Sequence, residues 1–403
     1  MKHLIDILII GGGAAGFFTA INAAENNSEA KIVILERGKE VLTKVRISGG
    51  GRCNVTHAEF VPKELIKKYP RGEKELLGPF HHFMTGDTIE WFEKRGVSLK
   101  IEEDGRMFPE TDSSQTIIDC FLSEVKRLAI DVKMNHSVKT ITKQDSLWYV
   151  TTTKGDFITK NVVIATGSNP KIWQLLEKLG HKIIPPVPSL FTFHIKDARI
   201  TDLSGISTNV AVKVLGTTLK SQGPLLITHW GMSGPAILKL SAWGARELFA
   251  LDYTFTMQVN WLENQESEEA LEQLKEIKLK QAKQLVIKYP MFELPRRLWQ
   301  SLVIASGIDV ETKWAEINKT QLQDLTSQLT ESKFMVDGKS TFKEEFVTAG
   351  GVELKEIDFK TFESKLHKNL YLAGEVLNID AITGGFNFQN CWTSGFLVAK
   401  AIL

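Results

Sequence analysis

The chain begins with an apolar stretch, Leu4–Ile10, in which Asp6 is the one polar position, and it runs directly into Gly11-Gly12-Gly13. Such a stretch, with no alternation of polar and apolar positions, reads as a strand buried on both faces, as in a parallel sheet. The period then changes. Ala14, Ala15, Phe18, Ile21 and Ala24 recur at helical spacing, which predicts a helix over 14–26. Residues 31–35 (KIVIL) supply a second buried strand, and the three pieces make a βαβ unit.

Charged, mixed segments follow from 58 to 110, with helices expected around 62–69, 73–83 and 86–95. A helix near 113–129 precedes a meander of short strands at about 130–134, 137–143, 147–153 and 156–160. Residues 161–165 (NVVIA) form a further buried strand ending in Thr166-Gly167. Pro185-Pro186-Val187-Pro188 marks a boundary, since proline stiffens the chain and resists both helix and central strand. Beyond it the pattern predicts strands over 190–227, a turn at Thr228–Pro235, a helix at about 235–248 and a strand at 253–259. From 266 to 332 Glu, Gln, Lys and Leu dominate and the pattern is helical. Strand and glycine turn return at 345–351 (EFVTAGG), then a short buried strand at 370–373 and a closing helix at 388–402.

Composition narrows the function classes. The 403 residues are 43% hydrophobic and 24% charged with a formal net charge of +1, so no global field draws the chain to nucleic acid or acidic lipid. Three cysteines, Cys53, Cys120 and Cys391, stand far apart with no C-x-x-C, which argues against a disulfide framework or a redox pair and fits the cytosol. The N-terminal apolar run is too short and too quickly followed by glycine for a signal peptide. No run of 18 apolar residues predicts a membrane span, and no His, Cys or carboxylate set has metal-ligand spacing.

The chemistry starts at the first turn. Gly11-x-Gly13-x-x-Gly16 follows a strand and opens a helix. The first glycine permits the tight turn, the second lets backbone approach a pyrophosphate, and the third lets helix pack on strand. Free N–H groups at the helix N-terminus face the phosphates. Glu36 ends the second strand twenty residues after Gly16, where a carboxylate accepts hydrogen bonds from ribose hydroxyls. The fingerprint alone does not distinguish FAD from NAD.

Four further motifs carry a resemblance: Arg46-Ile47-Ser48-Gly49-Gly50-Gly51-Arg52-Cys53-Asn54, Thr228–Pro235 (THWGMSGP), Val347–Val352 (VTAGGV), and Ala373-Gly374-Glu375 with Ile382–Gln389 (ITGGFNFQ). With the N-terminal loop they resemble, in order from residue 4 to 402, the bacterial HI0933-like (BaiN-like) family of FAD-dependent oxidoreductases, which includes aminoacetone oxidase-like proteins. The resemblance implies an α/β fold. It consists of a discontinuous Rossmann-like FAD domain of the glutathione-reductase type, with an inserted β-barrel-like domain and a helical subdomain. On that reading the FAD domain comprises 1–189 and 343–403, the β-rich insert 190–262 with 332–342, and the helical insert 263–331.

Residue by residue, the resemblance implies that Gly11, Gly13, Ala14, Ala15, Gly16, Glu36 and Arg37 hold the ADP half of FAD. Arg46, Ser48, Gly49, Gly50, Gly51, Arg52, Cys53 and Asn54 would line pyrophosphate and flavin as an anion cradle. Val138 would read adenine through its backbone, Ala165, Thr166 and Gly167 would pass near the ADP, and Gly374 and Glu375 would meet the pyrophosphate and ribityl chain. Gly385, Phe386 and Asn387 would bring backbone N–H groups to the flavin pyrimidine edge, where a helix N-terminus stabilises negative charge. Asp380 either contacts the ribityl chain or caps a turn.

Catalytic side chains are less legible, because the flavin itself performs the hydride chemistry. Cys53 is a candidate proton donor or a small buried filler. His229, on a loop, is a candidate acid–base or a histidine satisfied by backbone. No second G-x-G-x-x-G lies between 150 and 345, so NADH or NADPH is a candidate electron donor without a domain of its own. The family's members oxidise a small amine, reduce an unsaturated bile acid, or reduce uridine in ribosomal RNA, so the partner is a small-molecule substrate or ribosomal RNA, and no membrane. Lys63, Lys67, Lys68, Arg71 and Lys74, and Lys275, Lys278, Lys280, Lys283 and Lys288, either track RNA phosphates or form solvated faces balanced by neighbouring glutamates. A non-catalytic flavin-binding redox sensor is the alternative of a different class.

Overall fold

The computed structural model describes residues 4–340 and 347–402. Strand β1 (Ile5–Ile10) pairs in parallel with β2 (Ile32–Leu35), and helix α1 (Ala14–Asn26) makes the crossover between them. On the other flank of β1 lies Asp156–Ile164, also parallel, followed by Leu370–Leu372, while Asp131–Lys133 extends the sheet beyond β2. Four strand ends are in register: Ile10 pairs with Leu35 and with Ile164, and Ile164 with Leu372. The residues that leave this edge are therefore Gly11, Glu36, Ala165 and Ala373. Connections run to opposite sides of β1 here, so the edge is a switch point, where ligands bind in doubly wound folds.

Strand Asp156–Ile164 differs from expectation. The chain forms one strand of nine residues instead of two pieces at 156–160 and 161–165. Its first half pairs antiparallel with Leu147–Thr152 and its second half parallel with β1, and Thr159 pairs with both Trp148 and Ile5. Polar positions in the middle look like a break in sequence but serve the change of partner. The proline run is likewise part of a strand, Ile183–Ser189, paired with Val347–Val352 in a two-stranded sheet that needs few donors from it. Of the strand expected at 345–351, positions 345 and 346 lie outside the described residues, as does the boundary at 342/343.

The described chain divides into two compact units, residues 4–188 with 347–402, and residues 189–340. In the first, α1 packs on the closing helix Phe386–Ala401. The approach is close because Gly395 has no side chain: a Cβ there would lie 3.0 Å from Thr19 Oγ1 and 3.2 Å from Ala15 O.

The second unit is a seven-stranded antiparallel sheet. Its order is Ser332–Asp337, Thr254–Asn260, Ser207–Val214, Lys220–Thr228, Gly231–Ser233, Thr192–His194, Lys339–Ser340. The first and last strands of that path are separated in sequence by Gly338 alone, so the sheet curls until its ends meet, as in a barrel. The helices Ser267–Lys280, Arg296–Ala305 and Lys319–Thr330 were expected to form a separate insert. Instead Leu274, Leu298, Trp299, Leu302 and Leu325 share one hydrophobic cluster with Val210, Val212, Met257 and Phe334 of the sheet. No helix among the described residues is long and apolar enough to cross a membrane.

Candidate cofactor site

A cleft of about 620 Å³ opens at the carboxyl edge of the parallel sheet. That volume suits a cofactor-sized ligand. Gly11, Gly13, Ala14, Ala15, Glu36, Arg37, Val138, Ala165, Thr166, Gly167 and Glu375 all line it, drawn from segments far apart in sequence. Gly16 does not. A Cβ on Gly16 would sit 2.0 Å from Gly11 O, so this glycine serves the contact of helix with turn. Gly11 has φ +119°, and a Cβ there would meet Ala165 O at 2.3 Å. Gly13 is the opposite case, since a Cβ on it would meet nothing within 4 Å. It faces the open cleft at the start of α1, whose first turn no side chain caps. Uncapped amides and a bare backbone form the anion cradle that a pyrophosphate fits.

Glu36 is held for its task. Its Oε2 accepts from Gly12 N–H at 2.9 Å and its Oε1 from Gly38 N–H at 2.7 Å. Two backbone donors fix the carboxylate, and its remaining lone pairs can accept from ribose hydroxyls. These observations fit the ADP half of FAD.

The cleft also contains residues that the sequence reading missed. Lys44 Nζ pairs with Glu375 Oε2 at 2.7 Å, and the Glu375 charge raises the Lys44 pKa. The pair joins the two halves of the split unit at the cleft wall and sets an ammonium there. Lys44 stands two residues before the quoted Arg46 motif, but its partner is 331 positions away. Thr43, His136, Ser137, Asn169 and Lys171 are among the other lining residues that the sequence reading missed. His136 and Ser137 arrive there because His136 N–H donates to Glu36 O at 2.8 Å.

The second glycine turn is built differently. A helix from Thr43 gives way at Ser48, and Gly49, Gly50 and Gly51 adopt φ of +56°, +69° and +85°. A Cβ on Gly50 or Gly51 would meet nothing within 4 Å, so left-handed backbone, not crowding, demands glycine there. The arginines were expected to point into this cradle, and the structure places both elsewhere. Arg46 Nη1 donates to Gln115 Oε1 at 2.8 Å. The Arg52 guanidinium stacks on Phe108 at 3.9 Å and pairs with Glu102 at 2.6 Å. Neither residue, nor Ser48 to Asn54, lines the cleft at Gly13.

Asn54 ties this turn to the C-terminal one. Its amide donates to Thr56 O and Met107 O and accepts from Gly385 N–H at 3.0 Å. Gly385 N–H thus has an acceptor within the protein. Phe386 and Asn387 open the closing helix, and no side chain caps it. Their amides remain the donors aimed beyond that helix. The Asn387 side chain itself bonds Ala381 N and O. Tyr69 Oη donates to Phe386 O at 2.6 Å, and the Phe386 ring packs on His57 with centroids 4.6 Å apart. A Cβ on Gly374 would approach Ala15 Cβ and Cys391 Sγ at 3.2 Å, so this residue permits close packing behind the cleft.

Three of the expected features have the following surroundings. Cys53 is fully buried, and burial pushes its thiol pKa up to about 12. That burial favours the space-filling reading of Cys53 over the proton-donor one. Asp380 is fully buried and ion-paired with Arg71, which anchors the chain there. Within the two basic stripes Lys67 pairs with Glu64, Arg71 with Asp380, Lys275 with Glu272 and Lys280 with Glu276, as in a partly balanced solvated face. His229 is exposed at the tip of the Thr228–Gly231 hairpin in the second unit. No group of His, Cys, Asp and Glu among the described residues could hold a metal ion.

The comparisons agree with this geometry. The family model described as HI0933-like protein Rossmann domain matches residues 5–401. The chain is 30% identical to a ribosomal RNA dihydrouridine synthase of Haemophilus influenzae, covering 100% of this chain and 99% of that one. It is 26% identical to a 3-dehydro-bile acid delta(4,6)-reductase of Clostridium scindens, over 98% of both. Among solved structures, a 3-ketosteroid-delta4-(5alpha)-dehydrogenase of Rhodococcus jostii RHA1 has the same fold, with a TM-score of 0.51, 13% identity and coverage of 98% and 97%. The chain belongs to the HI0933-like family of FAD-dependent oxidoreductases.

Proposed function

We propose that this chain is an FAD-dependent reductase of a carbon–carbon double bond conjugated to a carbonyl, and that its substrate is a uridine of ribosomal RNA. The observation that carries the reading is the full-length match to the Haemophilus influenzae ribosomal RNA dihydrouridine synthase. The name of the Clostridium scindens relative also describes saturation of a conjugated double bond, so one reaction type covers both. Dihydrouridine differs from uridine by two electrons and two protons, which a nicotinamide, NADH or NADPH, and water supply together.

Bound FAD supplies the hydride chemistry. The chain's own residues hold and orient. Gly13 and the uncapped start of α1 take the pyrophosphate, with Lys44 as counter-charge. Glu36 fixes the ribose, and the backbone of Val138 lies where adenine would be read. The amides of Phe386 and Asn387 favour negative charge on a ring set against them.

The test compares dihydrouridine in ribosomal RNA from a deletion strain and from wild type, with purified enzyme and NADH or NADPH added back anaerobically. Restored dihydrouridine is expected. Unchanged modification in the deletion strain would overturn the reading.

A further inference from the structure

We infer that the sheet edge carrying His194 and Trp230 is a stacking platform for one unpaired base of an RNA strand, an inference that rests on the RNA reading above. The Thr228–Pro235 motif is not otherwise used, and this edge belongs entirely to the 189–340 unit.

Strand Thr192–His194 runs between Gly231–Ser233 and Lys339–Ser340. His194 stands opposite Gly231 on one side and donates its N–H to Gly338 O, at 3.0 Å, on the other. Both flanking positions are glycine, so neither has a side chain to cover the imidazole. Gly231 is sterically required: a Cβ there would lie 2.2 Å from Phe193 O. The residue before it, Trp230, is 59% exposed. Its backbone is nevertheless fixed on both sides. Its N–H donates to Thr228 Oγ1 at 3.3 Å, and its carbonyl accepts from Ile195 N–H at 3.0 Å. The indole and the His194 imidazole lie 6.5 Å apart between centroids, with 31° between their planes.

A large aromatic ring left in water on a rigid backbone loses little freedom when a flat partner covers it. Unpaired bases are recognised in RNA by stacking on such rings, with cations tracking the backbone. Lys196, beside the Ile195–Trp230 bond, is exposed and in no ion pair among the described residues, and His229 is exposed next to Trp230. The neighbouring Asp197 is neutralised by Arg199 at 2.7 Å. One exposed indole and one imidazole present far less surface than the roughly 800 Å² per partner of a stable chain–chain interface. They match one base and its phosphates.

The experiment titrates the full-length, flavin-loaded protein into a fluorescein-labelled short single-stranded oligouridylate and follows anisotropy. Trp230→Ala should weaken binding about tenfold and His194→Ala less, while Trp230→Phe retains most of it. Trp243→Ala, an exposed tryptophan elsewhere on the same unit, should leave binding unchanged. Wild-type affinity in Trp230→Ala, an equal loss in Trp243→Ala, or no wild-type binding would each overturn the platform. So would a sedimentation shift from dimer to monomer in Trp230→Ala without change in RNA binding, which would assign the edge to a second copy of the chain. The two levels separate. Wild-type dihydrouridine formation by Trp230→Ala sinks only the platform, whereas absent formation by wild-type enzyme sinks the RNA reading itself.

Discussion

Two glycine turns in the same unit use glycine for opposite reasons. In the first, Gly11 and Gly16 stand where a Cβ would strike backbone oxygen at 2.3 and 2.0 Å, while Gly13 between them faces open space. In the second, Gly50 and Gly51 are uncrowded but lie at φ of +69° and +85°. The first turn is shaped by what packs behind it and by what must enter in front. The second is shaped at Gly50 and Gly51 by the path of the chain, and only Gly49, where a Cβ would lie 2.9 Å from Asn54 N, adds crowding. A glycine motif thus mixes three demands, for packing, for ligand access and for backbone conformation, and only coordinates separate them.

Substitutions can break that comparison in order of severity. Gly16→Val should be the most damaging, because neither helix α1 nor the turn can move away. A loss of about 3 kcal/mol or more, seen as a much lowered melting temperature or insoluble protein, is expected. Wild-type stability would show that the turn is loosely packed. Asn54→Ala should cost about 2 kcal/mol, since it leaves the Gly385 N–H of a buried link without a partner. Its denaturant midpoint should fall, and an unchanged midpoint would mean the two turns are not coupled there. Gly50→Ala should cost only about 1 kcal/mol, from left-handed backbone alone, with flavin content retained. A loss as large as that of Gly16→Val would erase the distinction between the turns. Cys53→Ala should change reductase turnover least, and iodoacetamide at mildly alkaline pH should not label Cys53 in the folded protein. Labelling of Cys53, or a loss of turnover greater than tenfold, would restore the thiol as a proton donor.

What was legible in sequence follows the same division. The βαβ unit and the cleft-facing Gly13 and Glu36 could be read because hydrophobic period, glycine spacing and the acid all lie within thirty-odd consecutive positions. The Lys44–Glu375 pair could not, since nothing local announces a partner across the inserted unit. Strand Asp156–Ile164 was split in two because its polar middle marks a change of partner and not an end. The arginines beside Gly49–Gly51 suggested an anion cradle by composition, yet Phe108, Glu102 and Gln115, all distant in sequence, take up their guanidinium groups. The helical segment 263–331 read as a domain by composition, although its apolar face is completed only by the sheet.

The central claim is that the cleft at Gly13 holds the flavin. It is tested most directly by measuring the FAD content of purified wild-type protein and of Gly13→Val, from the visible spectrum and the cofactor released on denaturation, alongside thermal melting. Near-stoichiometric FAD in wild type, and its loss from a Gly13→Val protein that melts as wild type does without cofactor, is the predicted result. Full FAD occupancy in Gly13→Val would contradict it.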